Sequence, residues 1–159
     1  MRQRKRDAEF VSRSAYKLDE ILKKHANVRP HSVVVDLGAA PGGWTQALRR
    51  AAPSAHVFAL DKLPLQAVVP GATFLQGDFM EQHIRDALTN LVQSQHGNRC
   101  IDVVLSDMMC AFLSANLRTR LGIQFVIRLL RLICVRQLST LRVRCLRSSI
   151  ALYLSASTS

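Results

Sequence analysis

Twelve residues, Val33-Val-Val-Asp-Leu-Gly-Ala-Ala-Pro-Gly-Gly-Trp44, narrow the folds open to this chain more than any other stretch. Three aliphatic residues ahead of an acid read as a strand covered on both faces. Gly38 and the pair Gly42-Gly43 then let the backbone turn sharply and approach a ligand where a Cβ would intrude. Trp44-Thr-Gln-Ala-Leu-Arg-Arg50 continues as a helix whose first N–H groups point back at that ligand. Strand, glycine turn and helix start together predict the first unit of a Rossmann-like nucleotide site.

The flanking sequence extends that unit. Ser12–Lys24 places Ala15, Leu18, Ile21 and Leu22 at helical spacing, with Ser14 at the N-cap and a basic opposite face. Ala55–Asp61 reads as a second strand and Thr73–Gln76 as a short third, running into Gly77-Asp78-Phe79. Residues 80–95 carry Met80, Ile84, Ala87, Leu88, Leu91 and Val92 on one helical face, and Cys100–Asp107 reads as a fourth strand. The expected fold class is α/β, a Rossmann-like parallel sheet with flanking helices. It occupies residues 12–109, behind a basic arm at 1–11 that holds Arg2, Arg4, Lys5 and Arg6.

After Met109 the punctuation stops. Residues 110–159 hold one glycine, Gly122, and no proline, so no finished α/β pattern is readable in this Arg/Leu-rich tail. Residues 117–138 can be drawn as a helix with Arg120, Gln124, Arg128 and Arg131 on one stripe. A transmembrane span there would place Arg128 and Arg131 centrally, at a cost of about 2.5–3.5 kcal/mol each, so no such segment is expected. A basic amphipathic helix lying on an acidic membrane is the remaining membrane reading.

The chain has 159 residues, suited to one domain, with 22 Lys and Arg against 11 Asp and Glu and a net charge of +11. That balance favours a polyanionic partner such as RNA. All 11 acids lie by position 107, with 14 bases, so that part nets 14 − 11 = +3, and residues 108–159 add eight arginines and no acid. Cys100, Cys110, Cys134 and Cys145 show no C-x-x-C spacing, which argues against a zinc site or a disulfide framework and for a reducing compartment. The start Met1-Arg-Gln-Arg-Lys-Arg-Asp7 is not a secretory signal; the remnant of a transit peptide and an RNA-binding start both fit it.

Four acids, Asp36, Asp61, Asp78 and Asp107, fall at or just beyond strand ends, the edge where open parallel sheets bind ligands. Singly, each reads as a loop acid or a cap; in register, they read as a site. Carboxylates repel phosphates, and Gly38-Ala-Ala-Pro-Gly42 is not the dinucleotide pattern, so S-adenosylmethionine, with its ribose diol, amino group and sulfonium, fits better than NAD. Trp44 reads equally as a core aromatic and as a ligand contact.

Arg13-Ser-Ala-Tyr-Lys-Leu18, Asp36-Leu-Gly-Ala-Ala-Pro-Gly-Gly-Trp44, Gln76-Gly-Asp-Phe79 and Leu105-Ser-Asp-Met108 occur in the order and at the separations seen in one family. The chain resembles the FtsJ ribosomal RNA 2′-O-ribose methyltransferases over residues 12–109, and Pro70-Gly-Ala-Thr-Phe-Leu75 looks most like their mitochondrial large-subunit branch. The resemblance implies S-adenosylmethionine as cofactor, with Asp36, Gly38, Gly42 and Trp44 lining its pocket. Asp61 would bind its ribose, Asp78 would face its adenine, and Asp107 would lie beside the methionine portion and the transferred methyl. Lys17 would be the first lysine of the family's Lys-Asp-Lys-Glu catalytic set, with Asp107 its aspartate. Large-subunit rRNA or a pre-ribosomal particle would be the partner and the mitochondrion the location, with cytoplasm or nucleus as alternatives.

The family's second lysine and its glutamate have no counterpart, since the last Lys is Lys62 and the last Glu is Glu81. A fifth strand and the antiparallel pair that completes the family's sheet are not readable either. The chain is therefore expected to be truncated and catalytically impaired, with an uncovered sheet edge beyond the fourth strand. Its abrupt acid-free tail resembles a shifted reading frame or a retained intron. A non-catalytic RNA- or cofactor-binding module is the competing expectation.

Overall fold

The apolar run Val33–Leu37 forms β1, buried at all five positions, in a computed structural model that describes residues 10–25, 28–97, 101–106, 141–146 and 149–154. It pairs in parallel with β2 (His56–Asp61) on one side and β4 (Val103–Ser106) on the other, and β3 (Ala72–Gln76) pairs in parallel with β2. The resulting order β3-β2-β1-β4 reverses direction between β1 and β4, which opens a crevice at the carboxyl ends of those strands. Among the described residues, three helices lie between the parallel strands or ahead of them: α1 (Ser14–His25), α2 (Gly43–Ala51) and α3 (Gln82–His96).

Alternation along the strands divides the core. Val33, Val35 and Leu37 join Phe58, Leu60, Ile84, Leu88 and Val92 on the α3 face. Val34 joins Ala15, Leu18, Trp44, Leu48 and Val57 on the face covered by α1 and α2. The start of β1 is clasped by Asp102, whose carboxylate accepts the Val33 N–H at 2.8 Å while its own N–H reaches the Val33 carbonyl at 2.9 Å.

Beyond β4 the structure departs from expectation. Among the described residues the sheet has six strands, because β5 (Leu141–Leu146) and β6 (Ser149–Leu154) form an antiparallel hairpin whose β6 pairs antiparallel with β4. The edge expected to stand open is thus paired, Val104 opposite Leu152 and Leu105 opposite Ala151. The physical reason is that β4 would otherwise present a row of unpaired backbone groups, and Ser149-Ile-Ala-Leu-Tyr-Leu154 has the apolar and aromatic content of a strand.

Three smaller differences concern boundaries. Phe10 and Val11 do not belong to an arm: Phe10 packs against the α1/α2 core, edge-on to Tyr16 with ring centroids 5.0 Å apart. Met80 precedes α3 and is exposed, because the Asp78 carboxylate takes its N–H at 2.9 Å and the Asp78 carbonyl takes that of Glu81, making a turn before the helix starts. Ser14 is the first helical residue rather than the cap, its hydroxyl 2.8 Å from that of Ser12. Residues 1–9 of the arm and the helix drawn over 117–138 lie outside the described residues. Among the described residues no helix is long and apolar enough to cross a membrane, and no group of three or more His, Cys, Asp or Glu could hold a metal ion.

Candidate functional site

The turn after β1 is pinned before it reaches the crevice. The N–H groups of Gly38 and Ala39 both reach the Leu60 carbonyl, at 2.9 and 3.2 Å, and Gly42 N–H closes onto the Ala39 carbonyl at 2.7 Å. Gly42 sits at φ 114° as the N-cap of α2, a conformation that L side chains rarely adopt. Gly43 is needed for a different reason: a Cβ there would run into the Ser12 hydroxyl. The first helical bond at the α2 N-terminus runs from Gln46 N–H to the Gly42 carbonyl. The N–H groups of Gly43, Trp44 and Thr45 therefore have no intrahelical acceptor, and the positive end of the helix faces the crevice.

The four acids occupy different situations. Asp36 lies inside β1, 1% exposed, on the α2 face, and its Oδ2 accepts the Thr45 hydroxyl at 2.7 Å. It ties strand to helix beneath the crevice. Asp61 ends β2 and is half-buried; its Oδ2 accepts the Ala40 N–H at 2.9 Å and its Oδ1 the Leu63 N–H at 2.8 Å. Those bonds fix one carboxylate against both the glycine turn and the β2–β3 loop, and each oxygen retains a lone pair for a hydroxyl donor. Asp78 follows β3, with its Oδ2 2.7 Å from the Lys62 ammonium. The Lys62 hydrogen bond, then the Met80 N–H, holds the Asp78 carboxyl below the usual carboxylate range, and the same bond raises Lys62. Asp107 is the next residue in the chain after β4 and lies outside the described residues.

Trp44 is 3% exposed within the α1/α2 core, and its indole N–H donates to the Ser14 carbonyl at 3.1 Å. Its ring is committed to the core, leaving its main chain to face a ligand. Lys17 lies three residues beyond Ser14, about one turn into α1, and is half-buried. The structure thus brings Gly38, Gly42, the α2 N-terminus, Asp61 and Asp78 to one edge of the sheet, with Asp36 below them. Sequence reading passed over Thr45, Gln46, Lys62 and Asp102. Lys62 was visible as a base directly after a strand-end acid; Gln46 and Asp102 act through contacts 35 and 69 positions away, and the Thr45 bond to Asp36, nine positions back, needs the helix placed on the strand before it can be read.

Residues 10–144 match the FtsJ-like methyltransferase family. This chain belongs to that family. Its match to the FtsJ-like methyltransferases starts where Phe10 begins to pack and runs on past Met109. Ribosomal RNA large subunit methyltransferase E of Nitrosomonas eutropha is 47% identical over 100 residues, 62% of this chain and 46% of that protein. The chain therefore spans about half the length of that curated relative. A structure named as a ribosomal RNA methyltransferase of Plasmodium falciparum superposes with a TM-score of 0.61 at 16% identity, covering 91% of this chain and 99% of that one. At that identity it shows the fold alone, the one expected of an FtsJ-like chain.

Proposed function

We propose that this chain binds S-adenosylmethionine at the carboxyl edge of its sheet and belongs to the large-subunit rRNA ribose 2′-O-methyltransferases, in their mitochondrial branch and in that compartment. The observation that carries the proposal is the convergence of the pinned glycine turn, the α2 N-terminus and Asp61 at the switch point between β1 and β4. The donor set fits the cofactor. Asp61 is oriented by two backbone N–H groups with lone pairs left for a ribose diol, Gly38 and Gly42 present no Cβ at either end of the turn, and the helix N-terminus suits a carboxylate. The relative from Nitrosomonas eutropha, named for large-subunit rRNA, supports the substrate, as does the charge of +11.

When bound, S-adenosylmethionine supplies an electrophilic methyl carbon on a sulfonium. The residues of this chain then have to hold the 2′-hydroxyl in line with that carbon and help remove its proton. Lys17 on α1 is assigned to the hydroxyl side, and Asp107 to the methyl side. No Lys follows Lys62 and no Glu follows Glu81, so these 159 residues are assigned binding with little turnover.

The test offers methyl-labelled S-adenosylmethionine and an rRNA fragment to this chain and to a version whose residues after Met109 are replaced by a full-length family C-terminal half. Transfer to the 2′-oxygen by the chimera alone is expected. Transfer by both would show that Lys17 and Asp107 suffice, and transfer by neither would favour a non-catalytic binding module. Fractionation of cells expressing a tagged chain checks the compartment; recovery outside mitochondria contradicts it.

A further inference from the structure

On α2, Gly43, Gln46 and Arg50 stand at i, i+3 and i+7, a single stripe of the helix surface. Each meets one residue of the segment ahead of α1, in reverse order. Ser12 packs into the space left by Gly43, Val11 donates its N–H to the Gln46 side-chain oxygen at 2.9 Å, and the Arg50 guanidinium lies over the Phe10 ring, 5.7 Å from its centroid. Residues 10–12 therefore run antiparallel along α2 from its carboxyl end to its N-terminus. There the chain turns into α1, whose first carbonyl, that of Ser14, is held by the Trp44 indole.

The bases Arg2, Arg4, Lys5 and Arg6 lie on one side of this zipper in the chain, and Arg13 and Lys17 on the other. Among the three contacts, only the Gln46 bond is directional, so it sets the register of the segment along the helix. We propose that Gln46 is a positioning residue for RNA engagement: by accepting the Val11 N–H, it fixes the start of α1, and with it Arg13 and Lys17, relative to the helix end that faces the crevice. This rests on the proposed function for its RNA and cofactor, but the zipper itself does not. Gln46 acts on the RNA side only, because its side chain turns to residues 10–12 while its neighbour Thr45 turns to Asp36.

The experiment compares the full chain with Gln46→Met, which keeps length but loses the acceptor, and Gln46→Glu, which keeps it. Three quantities are read: exchange of the Val11 amide, affinity for S-adenosylmethionine by calorimetry, and affinity for an rRNA fragment by fluorescence anisotropy. In Gln46→Met, Val11 should exchange about five- to tenfold faster, the loss of one hydrogen bond, and RNA affinity should fall severalfold while cofactor affinity holds. Gln46→Glu should restore Val11 protection and RNA affinity together. Loss of cofactor affinity with Val11 still protected, or unchanged RNA affinity with Val11 deprotected, overturns the role of Gln46. A wild-type chain that binds neither ligand instead overturns the proposed function, a result visible before any variant is made.

Discussion

Against one face of the sheet, α3 presses Ile84, Leu88 and Val92 onto Val33, Val35, Phe58 and Leu60, while among the described residues the hydrogen bonds of its Arg85, Thr89 and Ser94 go to α3 itself or to the turn ahead of it. Against the other face, α1 and α2 bring an equally apolar set together but add directional links: Thr45 to Asp36, the Trp44 indole to Ser14, and Gln46 to Val11. Apolar contact is strong and non-directional, and it tolerates sliding; a hydrogen bond fixes a register. The α3 face thus supplies stability, and the α1/α2 face holds the crevice and the N-terminal helix in place.

The largest test of that division is Leu88→Ala. Leu88 is fully buried on the α3 face, and its truncation should cost about 2–5 kcal/mol in urea unfolding. S-adenosylmethionine affinity of the folded fraction should be unchanged; a matching loss of affinity would erase the distinction between the faces. Thr45→Val comes next. It leaves the buried Asp36 without its hydroxyl donor, at about 1–3 kcal/mol, and here cofactor affinity should fall as well, because the glycine turn and α2 are no longer locked to β1. Equal affinity at lower stability would reduce Asp36 to a purely structural acid.

These links explain what was legible. The strand, glycine turn and helix of residues 33–50 were readable because apolar run, glycines and helix period are local signals. Asp36 looked like the other strand-end acids, yet its parity with Val34 turns it under α2, a distinction that needs the helix to be placed first. Asp102 clasps Val33 across 69 positions of sequence. Phe10 and Val11 were hidden by the basic residues before them, and their partners Arg50 and Gln46 lie a helix and a strand away. The β5–β6 hairpin went unread because residues 147–148, Arg and Ser, contain neither glycine nor proline.

Trp44→Phe keeps an aromatic side chain, smaller than the indole, and deletes the bond to Ser14. The lost bond should contribute about 0.5–1.5 kcal/mol, in addition to the packing lost with the smaller ring, and amide exchange at the start of α1 should speed up, with α3 unaffected; equal loosening of α3 would show the two faces to be coupled. The smallest effect belongs to the rim. Asp78 titrates lower folded than unfolded, so its ion pair with Lys62 is complete above the ordinary carboxylate range and is lost as pH falls through the depressed value. The Met80 amide, bonded to Asp78, should report that midpoint by NMR. Lys62→Ala should move it upward without changing the unfolding midpoint, since both groups are solvent-accessible. An unmoved midpoint would mean that Lys62 does not hold Asp78.

The central claim is that the glycine turn, the α2 N-terminus and Asp61 form a site for S-adenosylmethionine rather than for a dinucleotide. Calorimetric titration of the full chain with S-adenosylmethionine and, separately, with NAD tests it directly. Saturable binding of S-adenosylmethionine, tighter than that of NAD and weakened at least tenfold by Asp61→Ala, is the result this account predicts. Tighter binding of NAD, or S-adenosylmethionine binding indifferent to Asp61, would contradict it.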